Sequence, residues 1–118
     1  MANIDRDFLI DISGGENEAA DLLRLFFSSV RDVMKSLEIA AQARDRGATN
    51  RAAHQIAGAA GTCGCTELEE NARAIETDVD DRPWSELQRR VAALADLIDH
   101  AEAEGRELFP ALEKGSSA

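Results

Sequence analysis

Asn50–Glu76, NRAAHQIAGAAGTCGCTELEENARAIE, is the stretch whose reading decides this chain. Placed on a helix turning about 100° per residue, Thr49, Ala52, Ile56, Ala59, Ala60 and Cys63 share one small, apolar arc, a stripe suited to a core. His54 falls opposite that arc, facing water. Asn50, Arg51, Ala57, Gly58 and Gly61 share its outer face, and three of these five carry a methyl group or nothing. Gly within a helix costs about 1 kcal/mol relative to Ala, so Gly58 and Gly61 together need a reason. Close approach by something outside the chain is one: the imidazole then stands in a cleared patch open to another protein. The bland alternative, a fraying helix with an incidental surface His, suits a lone His better than one flanked by Ala57, Gly58 and Gly61.

Outward from this stretch the chain reads as helices with clear punctuation. Ile4–Ile12 is a short apolar-periodic piece (Phe8, Leu9, Ile12) ending at Ser13-Gly14-Gly15, too short to be stable unless it lies on the body of the protein. Asn17 is the expected N-cap of a long helix running to about Arg44, with Glu18 and Asp21 favourable near its start. Leu22, Phe26, Val30, Val33, Leu37 and Ala41 form its stripe, widened by Leu23, Phe27 and Met34, and Gly47 is read as its stop. Thr49 or Asn50 is expected to cap the His54 helix, which ends at Gly64. Thr66-Glu67-Leu68-Glu69 reads as a capping box for the next helix, with Leu68, Ala72, Ile75 and Val79 inward.

Asp80-Asp81-Arg82-Pro83 breaks the chain, and Pro83 suits the first turn of the last helix. Trp84, Leu87, Val91, Leu94, Ile98 and Ala101 give that helix its stripe, and Gly105 is read as its end. The expected fold is all-α: an antiparallel up-and-down four-helix bundle with a short additional N-terminal helix. The bundle domain is assigned to residues 1–105. Residues 106–118 are read as a tail that Leu108, Phe109 and Leu112 partly dock, with disorder expected over Lys114–Ala118.

At 118 residues the chain has the length of one domain with one modest core. Its net charge of −10 argues against a nucleic-acid partner, whose phosphates it would repel. No apolar run approaches the ~20 residues of a membrane span, and the opening MANIDRDF does not read as a signal peptide, so a cytoplasmic, membrane-free monomer is expected. Cys63 and Cys65 stand too close in sequence to bridge each other comfortably, and with His54 facing away and His100 far along the chain no metal site is expected. Two small, partly buried thiols is the better reading.

The run Ala53–Gly64, AHQIAGAAGTCG, resembles the AHxLKGxxxxxG signature of histidine-containing phosphotransfer (HPt) domains. It looks most like the C-terminal module of tripartite hybrid sensor kinases, where AHxIxGAAGxxG-type runs occur. Leu68 and the pair Ile75-Glu76 match the family's second-helix "L…LE", and Gly14-Gly15-Glu16 before a Leu- and Phe-rich helix also fits. The resemblance covers about residues 5–104. One departure matters: the family's Lys three residues after the His is Ala57 here.

A neutral imidazole is a good nucleophile near pH 7, its unperturbed pKa being about 6.5. The chain offers no Ser-His-Asp set, no phosphate-cradling Gly loop and no paired carboxylate cleft, and the glycines of the His54 helix lie mid-helix without free amides. Its expected role is therefore a phosphocarrier with no ATP site or bound cofactor of its own. The resemblance implies that His54 accepts a phosphoryl group from the aspartate of a receiver domain and passes it to a response-regulator aspartate, the receiver supplying Mg²⁺ and a Lys. A hybrid sensor kinase is the implied source. Arg51 and Gln55 are assigned as phosphate supports, and Ala57, Gly58 and Gly61 as the docking surface. Two alternatives stay open: the phospho-accepting domain of a chemotaxis-type kinase, and an interaction-only bundle.

Overall fold

The computed structural model describes residues 4–113 and contains, among them, six helices: α1 Arg6–Ser13, α2 Glu16–Gln42, α3 Arg46–Thr62, α4 Thr66–Asp78, α5 Trp84–Leu108 and α6 Pro110–Glu113. The four long helices α2–α5 form the expected all-α bundle. At ~1.5 Å per residue the 27 residues of α2 span about 40 Å, close to the 43 Å long axis of the molecule. α3 packs between α2 and α4, and α5 closes the bundle against α2 and α4.

Local chemistry sets the boundaries, and it corrects several expectations. Asp5 caps α1, its Oδ1 accepting from the Phe8 N–H at 3.0 Å. Leu9 is buried, while Phe8 and Ile12, read with it as one apolar set, are 39% and 48% exposed. Gly15, not Asn17, precedes α2, without a side-chain cap. α2 then ends earlier than expected, and Gly47 is not its stop. Arg44 takes the left-handed conformation (φ +56°), with the Asp45 N–H bonded to the Ala40 carbonyl at 3.0 Å and the Arg44 N–H to that of Ala41 at 3.2 Å. This is the paired closure with which helices commonly terminate, built here on an arginine where a sequence reader looks for glycine. Asp45 then caps α3 by accepting from the Ala48 N–H at 3.0 Å, so Gly47 lies in the first turn of α3 and Thr49 is a fully buried core residue, not a cap.

The other end of α3 follows the same pattern with the expected Gly64 (φ +71°): the Cys65 N–H bonds the Ala60 carbonyl at 2.9 Å. α4 starts at Thr66 with Cys65 at the cap position and no side-chain cap bond, so the capping box does not form. Pro83 stands just before α5. α5 runs through Gly105 to Leu108 instead of stopping there. Gly105 is buried because α6 folds back over it: a Cβ would sit 3.2 Å from Leu112 Cδ2 and 3.5 Å from Phe27 Cε2. Phe109 and Leu112 join the core. The disorder expected over Lys114–Ala118 lies outside the described residues.

The core is lined by the stripes read from the sequence, with Leu23, Leu37, Ile56, Ile75, Leu87, Leu94 and Ile98 almost wholly buried. Each such side chain contributes about 1.5–3 kcal/mol of transfer free energy. α3 offers mainly alanine, which lets its neighbours lie close and leaves its outer face available for chemistry.

Candidate functional site

His54 sits mid-way along α3 with its side chain 65% exposed, on the outer face the sequence assigns it. Its ring is held from one side: Nδ1 lies 2.7 Å from Oε2 of Glu76 on α4. The Glu76 backbone is itself tied to α3, where Asn50 Nδ2 donates to its carbonyl at 3.1 Å. A carboxylate can only accept, so the Nδ1 of neutral His54 carries the proton and Nε2 keeps its lone pair. Glu76 engages Nδ1, so Nε2 is the ring nitrogen left for chemistry, and by the helical wheel Arg51, Gln55 and Gly58 stand beside His54 on the flank of α3 away from Ala57.

The small residues around His54 have a different explanation from the one expected. Ala57 is fully buried, as are Ala53 and Ala60. The helical wheel puts Ala57 only about 60° from His54, and that direction is occupied by α4. Ala57 is therefore a contact between α3 and α4 and does not belong to an exposed docking patch. Gly61 is only partly exposed: a Cβ there would lie 2.9 Å from Glu69 Oε2 on α4, a carboxylate that also accepts from Arg73 Nε and Nη2 at 3.1 and 3.0 Å. Its missing side chain admits Glu69 to the surface of α3. Gly58 alone matches the cleared patch, being exposed with nothing within 4 Å of an added Cβ.

Arg51 and Gln55 are both exposed beside His54, on the flank of α3 away from Ala57. The Arg51 guanidinium lies back along the helix, with Nη1 3.4 Å from where a Gly47 Cβ would stand. Cys63 and Cys65 are free and buried. Burial pushes the Cys63 thiol up and drives that of Cys65 up to about 12, so neither is a reactive thiolate near neutral pH. Among the described residues no three His, Cys, Asp or Glu side chains gather to hold a metal, and no helix is long and apolar enough to cross a membrane.

The residue that sequence reasoning left without a role is Glu76. It stood in the "L…LE" match, but 22 positions separate it from His54, and only the antiparallel register of α3 and α4 brings them together. The same register pairs Gly61 with Glu69.

The family profile of the Hpt domain matches residues 21–104. The chain belongs to the Hpt domain family. Hpt domains carry out histidine phosphotransfer in phosphorelay signalling, interact with receiver domains, and are phosphocarriers, not ATP-using enzymes. Among solved structures, the chain is similar to the HPT domain of the Hpt sensor hybrid histidine kinase from Shewanella, with a TM-score of 0.74. The match has 18% identity and covers 92% of this chain and 95% of that one, a likeness of fold alone. No curated protein matches the sequence.

Proposed function

We propose that this Hpt domain is a phosphorelay carrier in which His54 Nε2 takes a phosphoryl group from a receiver-domain aspartate and returns it to the aspartate of a response regulator. The observation that carries the reading is the 2.7 Å pairing of the exposed His54 through Nδ1 with Glu76, which leaves Nε2 unprotonated in the neutral ring. In the transfer, the Nε2 lone pair attacks phosphorus in line, the P–O bond to the aspartyl group breaks, and its electron pair leaves with the receiver's carboxylate. The imidazole becomes positive while Nδ1 keeps its proton, and the Glu76 carboxylate stabilises that charge. The return step reverses these events.

Phosphoryl transfer of this kind depends mainly on positioning and charge neutralisation. Arg51 supplies a guanidinium one turn before His54 and swings from Gly47 toward the phosphate, and Gln55 offers an amide. Mg²⁺ belongs to the receiver in this scheme. The receiver approaches over the open surface at Gly58.

The test is incubation of wild type, His54→Gln and His100→Gln with a labelled phospho-receiver. Wild type and His100→Gln should acquire acid-labile phosphate and His54→Gln none; uptake by His54→Gln at the wild-type level rejects the assignment. Labelling by receivers but not by a separate ATP-binding kinase domain distinguishes this role from the chemotaxis-type alternative.

A further inference from the structure

On the side of the bundle away from α3 and α4, Arg24, Phe27, Ser28 and Arg31 of α2, Glu102 and Arg106 of α5 and Leu112 of α6 line a half-open cavity of about 340 Å³. That volume lies within the range of small-molecule sites, which combine apolar walls with a few convergent polar groups. Phe27 and Leu112 supply the apolar walls. Three guanidinium groups face one acidic lining residue, Glu102, which Arg31 and Arg106 share, Arg106 Nη2 lying 3.3 Å from its Oε2 and Arg31 Nε 3.0 Å from its Oε1. Asp21, Asp99 and Glu102 balance the three arginines in charge, so an anion here is drawn by the geometry of the guanidinium donors and not by a net positive field.

Ion pairing between helices accounts for part of this cluster. Arg31 binds Asp99 Oδ1 at 2.9 Å as well as Glu102, which fastens α2 to α5. Arg24 donates from Nη1 to Asp21 at 2.6 Å and from Nη2 to the Ala111 carbonyl at 3.0 Å, which fastens α6. Fastening leaves one feature over: Arg24 Nε is buried with no acceptor among the described residues. A buried donor without a partner is costly, and beside an arginine-lined cavity a small reorientation of the side chain offers it to an anion.

We propose that this cavity binds a small organic anion, a monocarboxylate with an apolar body, whose carboxylate is held by Arg24 and Arg106 and whose body lies against Phe27 and Leu112. Guanidinium groups match a planar carboxylate in geometry and charge. The apolar walls favour such a ligand over inorganic phosphate. Because Leu112 forms one wall and Arg24 holds the Ala111 carbonyl, occupancy ties α6 more firmly to the bundle. The site is independent of the His54 chemistry and stands or falls separately from it.

The test is a titration of the ¹⁵N-labelled 118-residue chain with benzoate, followed by amide spectra, with sodium chloride and inorganic phosphate as comparators at matched ionic strength. Benzoate should give saturable shifts at Arg24, Ser28, Arg106 and Leu112. Arg106→Gln, a partly exposed position whose loss leaves the Arg31 pairs intact, should weaken the response at least tenfold. Absence of saturation, an equal response to chloride, or an unchanged response in Arg106→Gln overturns the proposal. Phosphate saturating the same residues as tightly as benzoate overturns the assignment of an apolar ligand body.

Discussion

The two sides of this bundle are fastened by opposite means. On the α3–α4 side, α3 buries mainly small residues, Ala52, Ala53, Ala57 and Ala60, and the bare Gly61 admits Glu69 of α4 to its surface. Where α2 meets α5, Arg31, Met34 and Lys35 face Ala95, Ile98 and Asp99 across a cavity of about 220 Å³, beside the larger one of about 340 Å³. Ion pairs from Arg31 span that side. Short side chains fix the distance between helices with little freedom left, whereas long ones leave space and adjust. The reactive pair belongs to the first kind of seam. His54 and Glu76 are joined across this seam, with Asn50 Nδ2 holding the Glu76 carbonyl beside them.

The largest effect that sharpens this contrast comes from enlarging one alanine on each side. Ala57→Leu forces volume into the tight seam and should cost about 1–3 kcal/mol, with loss of the His54–Glu76 pairing. Ala95→Leu, beside the α2–α5 cavity, should be close to neutral. Urea unfolding measures both, and equal costs would show that the seams do not differ as described.

Next in size is the role of Glu76 in phosphotransfer. A hydrogen bond to a charged group is worth about 1.5–3 kcal/mol, so Glu76→Ala should slow phosphotransfer from a phospho-receiver about tenfold or more. Its effect on stability should stay within about 1 kcal/mol, because His54 is mostly exposed. A large stability loss with an unchanged transfer rate would make Glu76 a structural residue.

Gly58 probes the open part of the same face. Gly58→Ala should stabilise α3 by up to ~1 kcal/mol, since the added methyl meets nothing, yet slow transfer. Gly58→Glu should fold and transfer more slowly still. Wild-type transfer by Gly58→Glu removes Gly58 from the docking surface.

The smallest effect belongs to neither seam. Burial pushes the Glu104 carboxyl up, more than its hydrogen bond from the Ile4 N–H pulls it down. A carboxyl raised on folding favours the folded state while protonated. Its contribution is fully present below the unfolded value of about 4.3 and declines as pH rises through the folded one. Glu104→Gln should flatten that decline in thermal midpoint, and an unchanged pH profile would remove Glu104 as its source.

The bundle, its stripes and the position of His54 were legible because helical periodicity records which side of a helix is buried. Periodicity does not record which neighbour covers each flank. Ala57 and Gly61 therefore read as open surface when α4 lies over them, and Glu76 read as a family match without a partner. Boundaries failed where an unexpected residue did the work: Arg44 adopts the left-handed turn, and Asp45 outcompetes Thr49 and Asn50 as cap by accepting from the Ala48 N–H. Gly105 read as a stop because a helix glycine has two meanings, a terminus or a close approach, and only the fold of α6 over α5 selects the second.

The central claim is that Glu76 fixes the proton on Nδ1 of His54 and so directs phosphorus to Nε2. Long-range ¹H–¹⁵N correlation of the imidazole, with ³¹P coupling after transfer from a phospho-receiver, observes both nitrogens directly. The account predicts the Nδ1–H tautomer in neutral His54 of the free protein and a phosphorus bonded to Nε2 after transfer. An Nε2–H tautomer, or phosphate on Nδ1, would contradict it.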